Sequence, residues 1–479
     1  MPHRLQRISL AFLIFVLTPV LVYAFNLNQA LTLIYSGEIE LEITEGPIGP
    51  EGARKIAEAL THPANNLQAL YLYSEIGDEG LNAIALALKH PNNKLKKLHI
   101  EDGKIGDLGA KAIAEALTHS NNKLRVLFIS AKIRDDGVKA IASALQDGNY
   151  KIEELSVHCL MKSKGVIALA EVLRQPNNKI KILSISGYIS CSGLEAVSFA
   201  LKQFHNRIQI LKIHSLIDNL EIGDQEVEII ADALKDNHCK VEQLEIYWLF
   251  GDKGAKALAE ALMHPKNRVK RLNISFSYIT NEGAKEISRA LEHHNNKIED
   301  LSLHSAGIRD EGAKAIAFAL MASNNKVQAF YFLAKFVTDA AVKEFAHALR
   351  HVNNKMKDIT FICPEMTDES VGDIALALED GNNKLQSLCL WSNHIGAEGS
   401  QALAKTLINV NNKLQELNFA GNQVRGSLEK SLQRDLEIAK LSRQIIAVLS
   451  AREINKVGKQ AAIRHLPVEL IRMSVSMLL

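Results

Sequence analysis

Large aromatic and histidine side chains recur at two equivalent positions of a repeated sequence segment, on either side of its third apolar strand residue. Side chains of these types could bind a partner. Rings bury much area at a low cost in side-chain entropy, and they contribute strongly to the binding energy of protein interfaces. Only 5% of the chain is aromatic, so the concentration of rings at these places predicts a binding surface, although some rings could simply pack on neighbouring strands. The residues predicted to contact a partner protein are Tyr71, Tyr73, His99, Phe128, His158, His214, Tyr247, Trp248, His304, Tyr331 and Trp391.

Histidines could also bind a metal or respond to pH. His158, His214 and His304 occupy equivalent positions in separate repeats. Strands of the intervening repeats should hold them further apart than one zinc ion can bridge, so neither a metal nor another cofactor is predicted. Any of them that is exposed should titrate near pH ~6.5.

The sequence contains no recognisable catalytic pattern. It has no glycine-rich phosphate loop, no nucleophile elbow and no zinc-protease helix. Its cysteines are Cys159, Cys191, Cys239, Cys363 and Cys389. Their odd number and unmatched positions argue against a disulfide framework or a metal-binding set. We therefore expect thiols rather than disulfides, and a protein that is not an enzyme.

A repeat with a regular period positions these candidate residues. A leucine-like residue opens each copy, and consecutive copies start 28 or 29 residues apart, with a single interval of 33. The opening residues are Leu67, Leu95, Leu124, Ile152, Ile180, Ile208, Val241, Val269, Ile298, Val327, Met356, Leu385 and Leu414. A period this regular, held over residues 41–424, predicts a solenoid, because each copy can bury its apolar face only against its neighbours.

Each copy combines one strand with one helix. In the copy that starts at Leu95, Leu98 and Ile100 continue the period of two that a strand requires, whereas Ile113 and Leu117 follow the spacing of a helix. Small alanines between the large helical residues should let the helices pack closely. The pattern predicts a horseshoe with a parallel sheet on its inner curve and helices outside.

Two short polar motifs delimit the helices. Most helices should begin at an Asp or Asn, such as Asp107, whose side-chain oxygen is expected to cap the helix. A Gly two residues later, such as Gly109, should allow close backbone packing. Most copies end in Asn-Asn-Lys. Asn tolerates left-handed backbone and its amide should cap the turn into the next strand, while Lys forms a row along one rim.

The repeat resembles the ribonuclease-inhibitor type of leucine-rich repeat, which reads L-x-x-L-x-L-x-x-N-x-I followed by a helical G-x-x-x-I-A-x-A-L. A clear copy contains Leu385, Leu388, Leu390, Asn393, Ile395, Gly399 and Leu403. The resemblance implies an α/β fold, a leucine-rich-repeat solenoid (horseshoe) with its parallel sheet on the concave face and its helices on the convex face. It is specific for fold and much less so for function.

Several middle copies depart from this motif. The Asn is replaced, for example, by Gly103 or Ala306, so those turns must be hydrogen-bonded in another way and should be irregular. A five-residue insertion is expected near residues 216–220.

The N-terminus does not follow the repeat. Arg4 and Arg7 precede an apolar run over residues 8–25, which has the pattern of a secretory signal peptide or a marginal membrane anchor. Both interpretations place the repeats on the non-cytoplasmic side, because the basic residues come before the run. A third interpretation is a buried first helix that covers the end of the array. Mass spectrometry of the mature chain would distinguish a start at Phe25 from an intact Met1.

The C-terminal residues also lack the repeat and read as amphipathic helices, with an apolar stripe that includes Leu428, Leu432 and Leu436. They should form a cap over the last repeat. Residues 466–470 also resemble the opening L-P-x-E-L of an F-box. The predicted domains are 1–25 as signal peptide or membrane anchor, 26–426 as the repeat array and 427–479 as the helical cap.

The favoured function is a non-enzymatic scaffold that binds a partner protein on its concave face. The repeats are similar to those of leucine-rich-repeat effectors or surface proteins of intracellular bacteria, and an injected effector would act in the host cytoplasm. The net charge of +2 predicts no nucleic-acid partner. Membrane contact is expected only through the N-terminal segment, and the chain should be a monomer. Two alternatives stay open: a GTPase-activating regulator of a small GTPase, and a ubiquitin-ligase adaptor that uses the F-box-like tail.

Overall fold

The protein, represented by a computed structural model, divides into two compact units. Unit 1 spans Met1–Ile217 and unit 2 spans Asp218–Leu479. The structure describes residues 22–24, 26–44, 48–216, 223–392, 394–407 and 411–419, together with the single residues 409, 422, 432, 434, 436, 437 and 440.

Strands and helices alternate along unit 1, and consecutive strands pair in parallel. The strands are β1 (Val22–Ala24), β2 (Glu40–Ile43), β3 (Ala69–Leu72), β4 (Lys97–Asp102), β5 (Val126–Ala131), β6 (Glu154–His158), β7 (Ile182–Gly187) and β8 (Ile210–Ser215). The helices are α1 (Leu27–Ser36), α2 (Gly49–Thr61), α3 (Gly77–Leu88), α4 (Asp107–Thr118), α5 (Asp135–Gln146), α6 (Ser163–Leu173) and α7 (Cys191–Leu201). Each strand and its following helix form one repeat, as the sequence predicts.

Unit 2 has the same alternation and the same parallel pairing of consecutive strands. The strands are β9 (Gln243–Tyr247), β10 (Arg271–Ser277), β11 (Asp300–Arg309), β12 (Ala329–Phe336), β13 (Asp358–Ile362), β14 (Ser387–Trp391) and β15 (Glu416–Asn418). The helices are α8 (Asp224–Leu234), α9 (Asp252–Met263), α10 (Asn281–Glu292), α11 (Asp310–Leu320), α12 (Asp339–Arg350), α13 (Asp368–Leu378) and α14 (Ala397–Leu407). The α/β repeat solenoid predicted from the sequence is confirmed.

Alternate strand residues face a core that lies between the sheet and the helices. In β4, Leu98 and Ile100 are fully buried, whereas His99 between them keeps part of its surface. Alanines such as Ala110 and Ala116 are fully buried in α4, because their small side chains allow close packing. The other sheet face, which we call the open face, therefore displays the residues between the core positions.

The aspartates at the helix starts cap the helix of the next repeat. Asp107 Oδ1 accepts the N–H groups of Arg134 and Gly137 at 2.8 and 3.0 Å, and these two residues begin α5. A Cβ on Gly137 would lie 2.6 Å from the same oxygen, which explains the glycine. The expectation that each aspartate caps its own helix was therefore wrong, because the carboxylate reaches the orphan amides of its neighbour.

The same link joins α9 to α10 and gives a test. Asp252 Oδ1 accepts the N–H groups of Thr280 and Gly283 at 2.8 and 2.9 Å, and Oδ2 accepts the Thr280 hydroxyl at 2.6 Å. Asp252→Ala should lower the free energy of unfolding by roughly 1–2 kcal/mol, as loss of a helix cap does. Hydrogen exchange should speed up mainly in α10 and not in α9, which carries the substitution.

A matched control for this substitution is built into the chain. Asn281 performs the same function with its amide oxygen, which accepts the N–H groups of Arg309 and Gly312 at 2.9 and 3.0 Å. Asp252→Asn should therefore keep near-normal exchange in α10. Faster exchange confined to α9 in the alanine variant would contradict the link between repeats.

Buried asparagines close the turns between repeats through their side chains. In the copy that ends at Asn122, Nδ2 donates to the Leu117 carbonyl at 3.3 Å and Oδ1 accepts the Leu124 N–H at 3.2 Å. Among the described residues, the only non-glycine residue with positive φ is Phe276. The expected amide cap is therefore confirmed, and these asparagines close the turn without left-handed backbone.

The lysines of these motifs also connect adjacent repeats. Lys123 Nζ donates to the Asn93 carbonyl at 2.6 Å, and Lys413 Nζ donates to the Asn383 carbonyl at 2.7 Å. Such bonds satisfy backbone carbonyls in the turns that follow the helices. Lysines of the predicted row, such as Lys123 and Lys413, therefore have their ammonium groups bound within the fold.

Turns without the motif's asparagine use other oxygen-bearing side chains. The Asp102 carboxylate accepts the N–H groups of Ile76 and Gly77, each at 2.7 Å. The Ser305 hydroxyl donates to the Ile279 carbonyl at 2.7 Å. These bonds fulfil the expectation that such turns are satisfied in another way.

Several sequence predictions fall outside the described residues. They include most of residues 1–25, most of 427–479 with the F-box-like residues 466–470, and most of the insertion at 216–220. Within the part of the chain that the structure describes, no helix is both long and apolar enough to cross a bilayer. The five cysteines are all described, and none forms a disulfide.

Candidate partner-binding site

Six rings form a row across the open face of unit 1, which we call the ring ladder. Its members are Tyr71, Tyr73, His99, Phe128, His158 and His214. The centroid of His99 lies 5.1 Å from that of Tyr73 and 3.9 Å from that of Phe128, with which it is stacked. Phe128 meets His158 edge to face at 4.9 Å, and the His158 centroid lies 5.2 Å from that of His214. The separations of 5.1, 4.9 and 5.2 Å lie in the range of favourable ring pairs.

The ladder crosses β7 because this strand carries small residues on the open face. Ser184 and Ser186 stand where β6 has Ser156 and His158. Their size lets the His158 ring approach His214 of β8, and His158 Nε2 lies 2.8 Å from the Ser184 hydroxyl. The expectation that intervening strands separate the histidines was wrong for this pair, because a serine leaves room for two rings.

Burial keeps these two histidines neutral. It lowers the pKa of His158 to about 3, aided by the charges of His214, His99 and Lys212 and opposed by Glu101. Burial, and then the Lys212 charge, lowers the pKa of His214 to about 4. At neutral pH the rings of His158 and His214 are therefore uncharged.

Polar side chains border the other end of the ladder. Lys97 Nζ donates to the Tyr71 hydroxyl at 3.2 Å, and His99 Nε2 lies 3.0 Å from Glu101 Oε1. Burial raises the pKa of Glu42 on β2, against the effect of His99. The rings are therefore held both by each other and by polar neighbours.

The open face of unit 2 carries a polar network around Tyr247. The Tyr247 hydroxyl donates to Glu245 Oε2 at 2.7 Å. Burial, then the Glu245 charge, raises the pKa of Tyr247 above its ordinary value. Of the other predicted residues here, His304 and Tyr331 are half-buried, whereas Trp391 is 42% exposed.

The comparisons with known proteins agree with the repeat. The family model described as leucine rich repeat matches residues 92–114, 294–317 and 381–404. These three segments are leucine-rich repeats. No curated protein matches it.

Two solved structures with leucine-rich repeats are similar to the chain. The first, the crystal structure of a TLR13–ssRNA13 complex, has 12% sequence identity and a TM-score of 0.38, and the match covers 81% of this chain and 52% of the other. The second is an internalin (inlF) from Listeria monocytogenes, with 13% identity, a TM-score of 0.37 and coverage of 81% and 92%. The chain thus spans about half the length of the first.

One residue that was predicted to contact a partner belongs to the core. Trp248 is 3% exposed, its indole N–H donates to the Gly223 carbonyl at 3.3 Å, and its ring packs near Phe250. It follows the last residue of β9, where the chain turns inward. The prediction that Trp248 contacts a partner was therefore wrong, because its polar atom and its ring are both used inside the fold.

Exposed residues at the strand ends of unit 2 were not found from the sequence. Phe276, Tyr278 and Phe336 are 47%, 46% and 41% exposed. They lie beyond the two ladder positions of each repeat, so the period of two gives no signal for them. Phe276 sits at a register shift of β10 that only the pairing of strands reveals.

Metal-binding groups and cavities were the other kinds of site to consider near the ladder. Among the described residues, no group of three or more histidine, cysteine, aspartate or glutamate residues is placed to hold a metal. A cavity of about 390 Å³ lies at the helix ends of unit 1. Its polar lining consists of Gln146, Glu171, Arg174, Gln175 and Gln203. The ring ladder shares no residue with this cavity.

Proposed function

We propose that this protein is a non-enzymatic scaffold that binds a partner protein across the open face of unit 1. The ring ladder is the observation that carries the proposal. It presents rings from strands β3, β4, β5, β6 and β8 as one row, and each ring keeps part of its surface accessible. Residues of these types supply much of the binding energy in protein interfaces.

Contacts between the rings lower the cost of binding. The His99 side chain is 18% exposed, since Phe128 stacks on its face and Glu101 lies beside its Nε2. A side chain already fixed in one rotamer loses little entropy when a partner arrives. Packing between neighbouring strands could by itself explain why rings occupy these positions. The same packing also fixes the rings in advance of binding.

The neutral histidines make the surface cheaper to desolvate. Burying a charged imidazolium in an interface costs free energy, whereas neutral His158 and His214 can pack like other rings. The surface that results is apolar along the row and polar at the Lys97 and Glu101 border, which is the arrangement typical of a protein interface.

Photo-crosslinking followed by affinity measurement tests the proposal. A photoreactive phenylalanine analogue at position 128 should cross-link a discrete partner in the native cell, identified by mass spectrometry. The purified partner should then bind Phe128→Ala about tenfold to thirtyfold more weakly, as loss of an interface anchor does. Isothermal titration calorimetry gives the dissociation constants.

A matched control uses Phe204, which is 74% exposed in the loop after α7 of the same unit. Cross-linking at position 204 should be weak, and Phe204→Ala should keep normal affinity. Equal cross-linking at both positions, or normal affinity for a folded Phe128→Ala variant, would rule out the ladder as the contact surface.

A further inference from the structure

The strands of unit 2 extend furthest at β10, β11 and β12, and their ends carry an exposed group of aromatic and basic residues. We call this group the rim patch; it consists of Phe276, Tyr278, Arg309, Lys335 and Phe336. β11 spans ten residues and β12 eight, whereas β9 and β13 span five. Residues Arg309 and Phe336 pair across the extension. The extra strand length therefore brings these side chains to one edge of the sheet.

Phe276 is held in a strained conformation that exposes its ring. Its φ is 65°, a region that disfavours side chains with a Cβ and above all bulky ones. It occupies the register shift between Ile274 and Ser277. Its ring is 47% exposed and lies 4.9 Å from that of His304. Strain of this kind persists only where the surrounding structure enforces it, and it concentrates at functional sites.

Two cations converge on the exposed ring of Phe336. The Arg309 guanidinium carbon lies 5.0 Å from the ring centroid and the Lys335 ammonium nitrogen lies 5.3 Å from it. Within the described residues, neither cation forms an ion pair with a carboxylate. Two like charges beside one ring repel each other, so an anion placed between them would be attracted by both.

We propose that the rim patch binds an acidic protein segment, with a carboxylate between Arg309 and Lys335 and an apolar side chain against Phe276 and Tyr278. Arginine and lysine supply the charge complementarity, and the exposed rings supply apolar area. This surface lies in unit 2 and shares no residue with the ring ladder. The proposal therefore goes beyond the function proposed above and does not depend on it.

Fixed carboxylates beside the patch favour a short acidic segment over a membrane or a nucleic acid. Asp310 accepts the N–H and hydroxyl of Thr338 at 2.7 Å each. Thr338 follows Phe336 by two residues, so these bonds fix the Asp310 carboxylate near the patch. Asp339 is held in the same way by Thr367. A continuous polyanion would meet these negative charges as well as the two cations. One or two carboxylates on a peptide can contact the cations alone.

Fluorescence anisotropy with short labelled peptides tests the proposal on the full chain. The probes are a peptide of alternating glutamate and phenylalanine and its counterpart with glutamine in place of glutamate. The acidic peptide should bind at least about tenfold more tightly than the neutral one, and added salt should reduce the difference. Arg309→Gln combined with Lys335→Gln should weaken acidic-peptide binding by about tenfold or more.

The control variant loses the same charge elsewhere in unit 2. Lys256→Gln combined with Lys343→Gln removes two exposed lysines from α9 and α12 and should leave binding unchanged. Phe276→Gly should melt no lower than the natural chain, because glycine accepts positive φ, yet it should bind the peptide more weakly. Phe128→Ala should leave peptide binding intact, which separates this test from that of the ring ladder.

Three results would overturn the proposal. The first is no binding of the acidic peptide, and the second is equal binding of both peptides. The third is loss of binding to phosphatidylserine vesicles or to single-stranded poly(U) in the Arg309→Gln and Lys335→Gln variant while peptide binding persists. That result would assign the patch to a membrane or to a nucleic acid instead.

Discussion

Asn354→Ala should lower the free energy of unfolding by roughly 2–6 kcal/mol, because it leaves two buried backbone groups without a partner. Asn354 is fully buried. Its Nδ2 donates to the Leu349 carbonyl at 2.8 Å, and its Oδ1 accepts the Met356 N–H at 2.9 Å. Alanine can replace neither bond, and the site is too enclosed for bulk water to do so. Urea denaturation measures the change.

The adjacent asparagine provides the control for this prediction. Asn353 is only partly buried, and its Nδ2 makes one bond to the Met321 carbonyl at 2.9 Å. Asn353→Ala should therefore cost about 1 kcal/mol. If the two alanine variants lost the same small amount, the buried amide would not be what closes the turn. Circular dichroism should show that both variants keep their secondary structure.

The positions of strands and helices could be predicted because they depend on the repeat alone. Leu98 and Ile100 alternate in β4, and Ile113 and Leu117 follow the helical period in α4. Each copy repeats this pattern, so an ambiguous strand or helix assignment in one copy can be resolved by comparison with the next. The period of two also separated core residues from open-face residues in most strands.

The function of the polar motifs could not be predicted from a single copy. Asp107 acts on Arg134 and Gly137, which belong to the following repeat. The distance between stacked repeats decides which amide the carboxylate reaches, and the sequence contains no direct measure of that distance. Most of these Asp residues are followed by a Gly one repeat later, and this pairing is the signal that was available.

Ring contacts depended on the sizes of residues in neighbouring strands. The ladder residues were recognised by position, but the contact of His158 with His214 requires small Ser184 and Ser186 between them. Phe276 could not be recognised at all, because its exposure results from a shift in strand register. The prediction that Trp248 contacts a partner was wrong for the opposite reason: the chain turns inward directly after β9 and buries the indole ring.

The capping links and the ladder connect the same repeats on opposite sides of the sheet. In unit 1, Asp107 ties α4 to α5, while His99 stacks on Phe128 between β4 and β5. Each repeat is thus fixed to the next through both its helix and its strand. A row of rings fixed in this way can act as one surface, because no strand can move without breaking bonds on both sides.

Acidification should destabilise unit 1 through its two buried histidines. Their pKa values are about 3 for His158 and about 4 for His214, whereas an unfolded histidine titrates near ~6.5. The folded state therefore binds fewer protons than the unfolded state. The free energy of unfolding is thus unaffected by these two histidines above pH ~6.5 and decreases as the pH falls towards their folded pKa values. At pH ~5.5 the loss should be roughly 1.4 kcal/mol for each histidine.

Urea denaturation at pH ~7.0 and ~5.5 measures this dependence, and His158→Gln combined with His214→Gln should flatten it, because glutamine does not titrate. His119→Gln, at an exposed position after α4, should keep the full dependence. Equal pH slopes in the natural chain and the double variant would mean that other groups cause it. Above pH ~5 the folded state keeps His158 and His214 neutral, so these two rings should not change the affinity for a partner while unit 1 stays folded.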